Sequence, residues 1–334
     1  EFPPDGLEGA TDRSFEPVLP ELLKEPVRNA RLLNNYGVLR HVRHSLEEQS
    51  LDPSSIWFGS IGAWRDHQAA GRRWDQWSSF PSYTLNATGL ANNLAAAWKV
   101  PARVNPYGGD RHILNRAVLA GLADLLAIHE DDTLKNGTDG DMDPYASSTG
   151  FPANHNYCWP YLLCAPDVPE ELRALWTEGY RRIMDRYPFY RVSCENQSAH
   201  WPICYYALHL VSEAKQDYEA LAHDYIVGMC DPELNRFMKT GYQQEAYGPD
   251  STYQGLSCSL QAQYWALSGD EAALEGLRRI FRFFNHTVAP EPDGYIWGAS
   301  NFCHRTQYGW QHPQYNAGRT LLAAAMPAAG LYRY

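Results

Sequence analysis

Apolar residues recur at helical spacing through most of the chain. Between Val18 and Glu48 they fall at Leu22, Leu23, Val27, Ala30, Leu33, Val38, Leu39 and Val42, one side of a 3.6-residue period. Pro26 interrupts that stretch and marks a first turn or a break between two helices. Leu90–Trp98 and Ile113–Ile128 read as helices. So do a segment opening at Pro169-Glu170-Glu171 and running to Met184, then Ser198–Val211, Tyr218–Met229, Leu256–Leu267, Glu271–Phe284 and Tyr315–Ala325. Acids in the first turn at Glu170 and Glu171 suit the helix dipole. Residues 52–87 hold aromatics with few aliphatics (Trp57, Phe58, Trp64, Trp74, Trp77, Phe80 and Tyr83) and predict irregular structure with short helices. Residues 129–157 carry Gly, Asp, Asn and Pro throughout and predict loop. Strand-like alternation is nearly absent. The expected fold is therefore all-α, and similar helices at roughly regular intervals suggest stacked hairpins that close into an (α/α) toroid. A single domain over 1–334 is expected, with the site at the end of the ring where loops gather.

Polar groups punctuate this pattern at helix junctions. One cluster is Glu195-Asn196-Gln-Ser-Ala-His200-Trp201. A second is Glu245-Ala-Tyr247-Gly248-Pro249-Asp250-Ser-Thr-Tyr253. A third is His304-Arg305-Thr-Gln-Tyr308-Gly-Trp-Gln-His312. Carboxylate, amide, imidazole, guanidinium and phenol together suit proton removal beside a carboxylate. The C5 proton of a uronate is weakly acidic until its carboxylate charge is neutralised and the enolate-like anion stabilised. A base must then take the proton, and an acid must protonate the leaving O4. In β-1,4-linked D-glucuronate or D-mannuronate both lie on one side. One tyrosine can then serve as base and acid, provided nearby cations lower its pKa.

Each cluster has a plainer explanation. Asn196 and His200 share a helix face at i, i+4, but Asn196 also suits a cap and His200 a satisfied core position. Asp250 or Ser251 would cap a following helix, with the tyrosines packed beside it. Arg305, Tyr308 and His312 would equally suit a loop held by hydrogen bonds. The three clusters together are more specific than any one.

Composition narrows the partner. The formal net charge of −11 argues against nucleic acid, which needs a basic face. It also sits awkwardly with a polyanion unless arginines reverse the potential locally. Arg65, Arg72, Arg73, Arg103, Arg111 and Arg116 are the candidates, with ordinary ion pairs as the plainer role for most. Twenty-two Tyr and 11 Trp suit a sugar cleft or an aromatic core equally. No run reaches the length of a membrane-spanning helix. Seven cysteines without a CxxC pair leave disulfides and buried thiols both open and argue against a zinc site. Sequons at Asn86, Asn136, Asn196 and Asn285 hint at a secreted chain, extracellular or periplasmic. The segment Asn136-Gly-Thr-Asp139-Gly-Asp141-Met-Asp143 is similar to a calcium loop but lacks the downstream Glu and the Gly placement. A solvated acidic loop is expected there, and neither metal nor cofactor.

The run Gly241-Tyr-Gln-Gln-Glu245-Ala-Tyr-Gly-Pro-Asp-Ser-Thr-Tyr253-Gln-Gly-Leu, followed by Tyr264-Trp-Ala-Leu-Ser-Gly-Asp270, resembles the helical domain of (α/α)-toroid uronate lyases acting on alginate, glucuronan, heparin or chondroitin. The upstream Asn and His are similar too. With no separate β-sandwich domain expected, the chain looks more like the compact, single-domain glucuronan and alginate lyases, such as polysaccharide lyase family 38, than like relatives that carry one. The resemblance implies Asn196, Glu245 and Arg305 as carboxylate neutralisers, His200 as neutraliser or helper of the base, and Tyr308 or Tyr253 as the catalytic tyrosine. Tyr247, Trp201, His304, His312, Arg65 and Trp64 are expected to bind substrate, an acidic polysaccharide. Two other readings remain. A glycoside hydrolase on the same fold would pair Glu245 with Asp250, Asp141 or Asp66. A non-catalytic carbohydrate-binding protein would have no need of the titratable groups.

Overall fold

A computed structural model describes residues 42–54, 58–59, 61, 90–99, 105–126, 158–186, 198–213, 217–244, 251–290 and 296–298. These are mostly helical. The helices are α1 (Val42–Glu48), α2 (Leu90–Lys99), α3 (Arg111–Leu126), α4 (Cys158–Cys164), α5 (Glu170–Arg186), α6 (Trp201–Val211), α7 (Tyr218–Cys230), α8 (Ser251–Ser268) and α9 (Glu271–Thr287). One antiparallel pair follows, β1 (Val288–Pro290) with β2 (Ile296–Gly298), in the register Val288↔Gly298. Each helix from α2 to α9 except α4 lies where the hydrophobic period places one, within a few residues at its ends. Helix α4 and the strand pair fall where the sequence predicted loop or nothing. The expected helix Tyr315–Ala325 lies outside the described residues, as does loop 129–157.

The chain divides into two compact units, the first Glu1–Pro188 with Leu210–Glu213, the second Phe189–His209 with Ala214–Tyr334.

In the first unit α1, α2, α3 and α4 pack on one another, and α5 lies against α3. The crossing of α3 with α4 and α5 is close: a Cβ on Gly121 would come 2.6 Å from the Trp176 ring and 2.9 Å from Pro160 Cβ. Tyr161 fills the same junction, edge-on to Trp176 at 5.6 Å and bonded through its hydroxyl to Thr177 at 2.7 Å. Burial pushes its phenol up to about 12.

Long-range polar contacts fix the rest of this unit. Gln49, 5% exposed, donates to the carbonyls of Gly59 at 2.9 Å and Arg116 at 3.0 Å. Arg116 donates in return to the Gln49 amide oxygen and, at 2.6 Å, to the Leu46 carbonyl. Burial pulls its pKa below the usual arginine value. Arg116 is thus engaged by neutral partners inside the unit. Asp167 accepts from the Trp98 indole and the Lys99 ammonium. Burial alone would raise its carboxyl, but those two bonds and the Lys99 and Arg111 charges bring it below the usual range.

The second unit is organised around α7, α8 and α9. Asp217 caps α7, accepting from the Ala220 N–H at 3.0 Å. Helix α9 buries Ala273, Leu274, Leu277, Ile280 and Phe281 and exposes Arg278 and Arg282, the one-sided pattern of a surface helix. Gly276 lets α9 approach closely, because a Cβ there would overlap Gln261 and Cys230. Gly241, at φ +83°, takes a left-handed turn under the Arg279 carbonyl, where no side chain fits.

Candidate functional site

The first polar cluster enters the structure at its C-terminal end. Helix α6 starts at Trp201, and the His200 carbonyl accepts the Cys204 N–H at 3.2 Å in its first turn. Pro202 is tolerated because first-turn N–H groups have no helical partner. His200 is half-buried. Trp201 is 3% exposed. Its indole stacks on Tyr225 of α7, with centroids 6.0 Å apart and planes 14° apart. Tyr205, one turn on, lies 6.0 Å from Trp201 and stacks on Tyr218 at 6.2 Å and 18°. Such pairs contribute about 0.5–1.5 kcal/mol beyond their burial. Trp201 was expected to meet substrate; its ring is covered by protein and backs an aromatic wall.

Beside that wall is a cavity of about 290 Å³, lined among the described residues by Tyr205, Leu221, Asp224 and Tyr225. Leu221, Asp224 and Tyr225 share a face of α7 through their i, i+3, i+4 spacing. Asp224 is exposed, and no hydrogen bond or ion pair holds its carboxylate among the described residues.

A second group of titratable side chains joins α6, α7, α8 and α9. Asp270 Oδ2 accepts the Tyr264 hydroxyl at 2.9 Å and lies 2.9 Å from His223 Nδ1. Its Oδ1 accepts the Ala272 N–H at 2.8 Å, which caps α9. Tyr206 meets Tyr264 edge-on at 5.8 Å and stacks on His209 at 5.2 Å. His209 Nε2 lies 3.7 Å from Glu219 Oε2. Burial of Asp270 would raise its carboxyl, yet the bonds from His223, Tyr264 and the Ala272 N–H hold it below the usual range. Burial pushes the Tyr264 phenol up, and the bond to Asp270 and its charge push it further. Tyr206 is raised by burial and by the Glu219 and Asp270 charges. Tyr107 is raised by burial, against the Arg43 charge. A tyrosine base needs the opposite shift, so none of these four raised phenols, Tyr107, Tyr161, Tyr206 or Tyr264, is suited to that role.

The segment Tyr264–Asp270 has a local explanation. Ser268 donates to the Tyr264 carbonyl at 2.9 Å and accepts the Asp270 N–H at 3.2 Å. Gly269, at φ +72°, ends α8, its N–H bonded to the Trp265 carbonyl at 2.8 Å. Tyr264, Ser268, Gly269 and Asp270 thus lock one helical hairpin.

A buried amide ladder leads up to the second polar cluster. Gln254 accepts the Gln243 N–H at 2.8 Å and donates to the Gly241 carbonyl at 3.3 Å. Gln243 donates to Gln261 at 3.1 Å, and Gln261 to the Ala273 carbonyl at 2.7 Å. The Gln243 Oε1 is buried without a partner among the described residues. The ladder holds the chain two residues before Glu245.

Of the residues expected to act, His200 and Trp201 are described with their side chains, as neighbours in sequence. Tyr253 falls in the first turn of α8, and its side chain lies outside the described set. Asn196, Glu245, Arg305, Tyr308, Tyr247, His304, His312, Arg65 and Trp64 lie outside the described residues, as do Asp66, Asp141, Asp250 and loop 136–143. The pairing of His223 with Asp270 was missed; its one sequence signal was the Ser-Gly-Asp run opening a helix. Among the described residues no group of His, Cys, Asp and Glu is arranged to hold a metal ion. No helix among them is long and apolar enough to cross a membrane. The five described cysteines are buried, and burial pushes the Cys164 thiol up to about 12.

Comparison with protein-family models, curated proteins and solved structures finds no match.

Proposed function

We propose that this chain is a secreted polysaccharide lyase that cleaves a 1,4-linked polyuronate, glucuronan or alginate, by β-elimination on an (α/α) toroid. The observation that carries the reading is the sequence itself: the Glu245–Tyr253 segment with Asn196 and His200 upstream and Arg305 and Tyr308 downstream. The mainly helical architecture is compatible with it, and so is the α8–α9 hairpin, whose lock uses the Tyr264–Asp270 run that the lyase resemblance includes. Tyr253 and Tyr308 are the candidates to test first because the resemblance implies them; the raised phenols of Tyr107, Tyr161, Tyr206 and Tyr264 do not suit a base.

In this mechanism Asn196, Glu245 (protonated) and Arg305 neutralise the uronate carboxylate. The tyrosine, as phenolate, takes the C5 proton; the C4–O4 bond breaks as the C4–C5 double bond forms; the same phenol returns its proton to O4. His200 assists the first transfer. Atoms and charge balance without a cofactor or metal.

The test is ultraviolet absorbance during incubation with glucuronan, polymannuronate, polyguluronate and hyaluronan, with xylan and glucan as neutral controls. Absorbance rising with one polyuronate reports the new double bond and names the substrate. Reducing ends without absorbance mean hydrolysis and overturn the proposal.

A further inference from the structure

We infer that the exposed face of α9, with the segment 237–242 laid beside it, is a docking surface for an acidic polysaccharide, separate from the three polar clusters. A chain of net charge −11 holds a polyanion only where cations reverse the potential locally, and this face gathers them. Arg278, Arg279 and Arg282 stand at i, i+1 and i+4 on the arc of α9 opposite its buried residues. Arg278 and Arg279 both reach Glu275, at 3.5 Å each, so one carboxylate is shared between two guanidinium groups. Arg282 is exposed, and no hydrogen bond or ion pair holds it among the described residues. Lys239 ends the short 3-10 turn Arg236–Lys239, which packs on α9, and lies 3.4 Å from Glu233. Four cations thus stand against two carboxylates.

Aromatic rings border the cations. Tyr242 lies 5.3 Å from Phe237 and 5.6 Å from Phe283, with the rings tilted, and all three residues are half-buried rather than covered. Gly241 brings this segment against α9 through its turn under the Arg279 carbonyl, and Phe283 shares a helix face with Arg279 at i, i+4. A polyuronate presents carboxylates to guanidinium groups and pyranose C–H faces to aromatic rings, and this surface offers both. A neutral glycan would leave the arginines unused, and an acidic peptide lacks the flat C–H faces. Tyr242 precedes Glu245 by three residues, so the surface adjoins the second polar cluster in sequence. That the docked polymer is then cleaved rests on the lyase reading; docking itself does not.

Binding is measured on the whole chain by isothermal titration calorimetry with a β-1,4-glucuronate hexamer at low and high salt, with ultraviolet absorbance recorded alongside. Cellohexaose is the neutral control and polyglutamate the polyanion without sugar. The glucuronate hexamer is expected to bind saturably, more weakly as salt rises, and about tenfold more tightly than either control. Arg278→Gln with Arg282→Gln, both at exposed positions and both replaced by a good helix former, should weaken it about tenfold through the loss of two charge contacts. Tyr242→Leu should weaken it about threefold, with circular dichroism checking that the fold persists in every variant. The same change of charge on α5, Arg173→Gln with Arg181→Gln, should leave binding as in the parent. The inference is overturned if the glucuronate hexamer shows no saturable binding, if the α9 pair binds it as the parent does, if the α5 pair weakens it as much, or if either control binds as well. The absorbance separates the two readings. Where it rises, the α9 pair should raise KM and keep kcat; binding that responds to the α9 pair without any new absorbance keeps the docking surface and removes the lyase.

Discussion

Replacing Asp270 by Ala should destabilise the second unit by roughly 2–4 kcal/mol. The magnitude follows from what the carboxylate holds. Loss of the α9 cap, its bond to the Ala272 N–H, costs about 1 kcal/mol. The Tyr264 hydroxyl, on a residue 1% exposed, is left without its acceptor, which costs about 1–3 kcal/mol. The His223 ring is 51% exposed, so its share is small, below about 1 kcal/mol. Urea unfolding followed by far-ultraviolet circular dichroism reads the sum. A cycle with Tyr264→Phe isolates the phenol: with the hydroxyl already gone, Asp270→Ala should cost only about 1 kcal/mol, chiefly the cap. The pH dependence carries its own sign. The folded carboxyl sits below its unfolded value: burial opposes this, but the His223, Tyr264 and Ala272 bonds prevail. Its stabilisation is therefore complete above the unfolded value, about pH 4, and is lost as pH falls through the folded value. The gap between parent and variant should be constant near neutrality and close in acid. A loss under about 0.5 kcal/mol, or the same loss with and without the Tyr264 hydroxyl, would refute the lock.

Gly241→Ala should cost more than about 2 kcal/mol, since left-handed backbone alone costs an L-residue about 1–2 kcal/mol and the new Cβ overlaps the Arg279 carbonyl; thermal unfolding checks it. Arg116→Met keeps the apolar stem but strands the Leu46 carbonyl and the Gln49 amide oxygen, an expected loss of about 2–3 kcal/mol measurable by urea midpoint. On the lyase reading, Tyr308→Phe or Tyr253→Phe should abolish the ultraviolet signal while the circular dichroism spectrum is kept; full activity in both sinks the tyrosine assignment. Asn196→Ala should lower kcat with the fold intact, and unfolding instead would mark Asn196 as a cap.

Most helices were legible because a helix is a local object. Its hydrogen bonds span four residues, and its buried face repeats every 3.6. Thus Glu271 onward reads as amphipathic from sequence, and the Ser268-Gly269-Asp270 turn carries its own stop and start signals. Helix α4 escaped because Cys158-Trp-Pro-Tyr-Leu-Leu-Cys164 is too short to show a period and holds a proline. The site was less legible. Trp201 reads equally as a sugar platform or a core residue, and the difference rests on what faces it across α7.

The sequence by itself determined the helical class, the places of most of the described helices, and the residue types from which the lyase reading is built. Tertiary structure decided which polar groups became partners. Gln49 meets Arg116 from 67 positions away, and His223 meets Asp270 from 47. It also decided that Tyr206 and Tyr264 are buried beside carboxylates, which raises their phenols. Local pattern sets the backbone, because backbone hydrogen bonds are short in sequence. The pKa and partner of a side chain depend on charges and burial contributed by distant segments, and those exist only once the chain has packed.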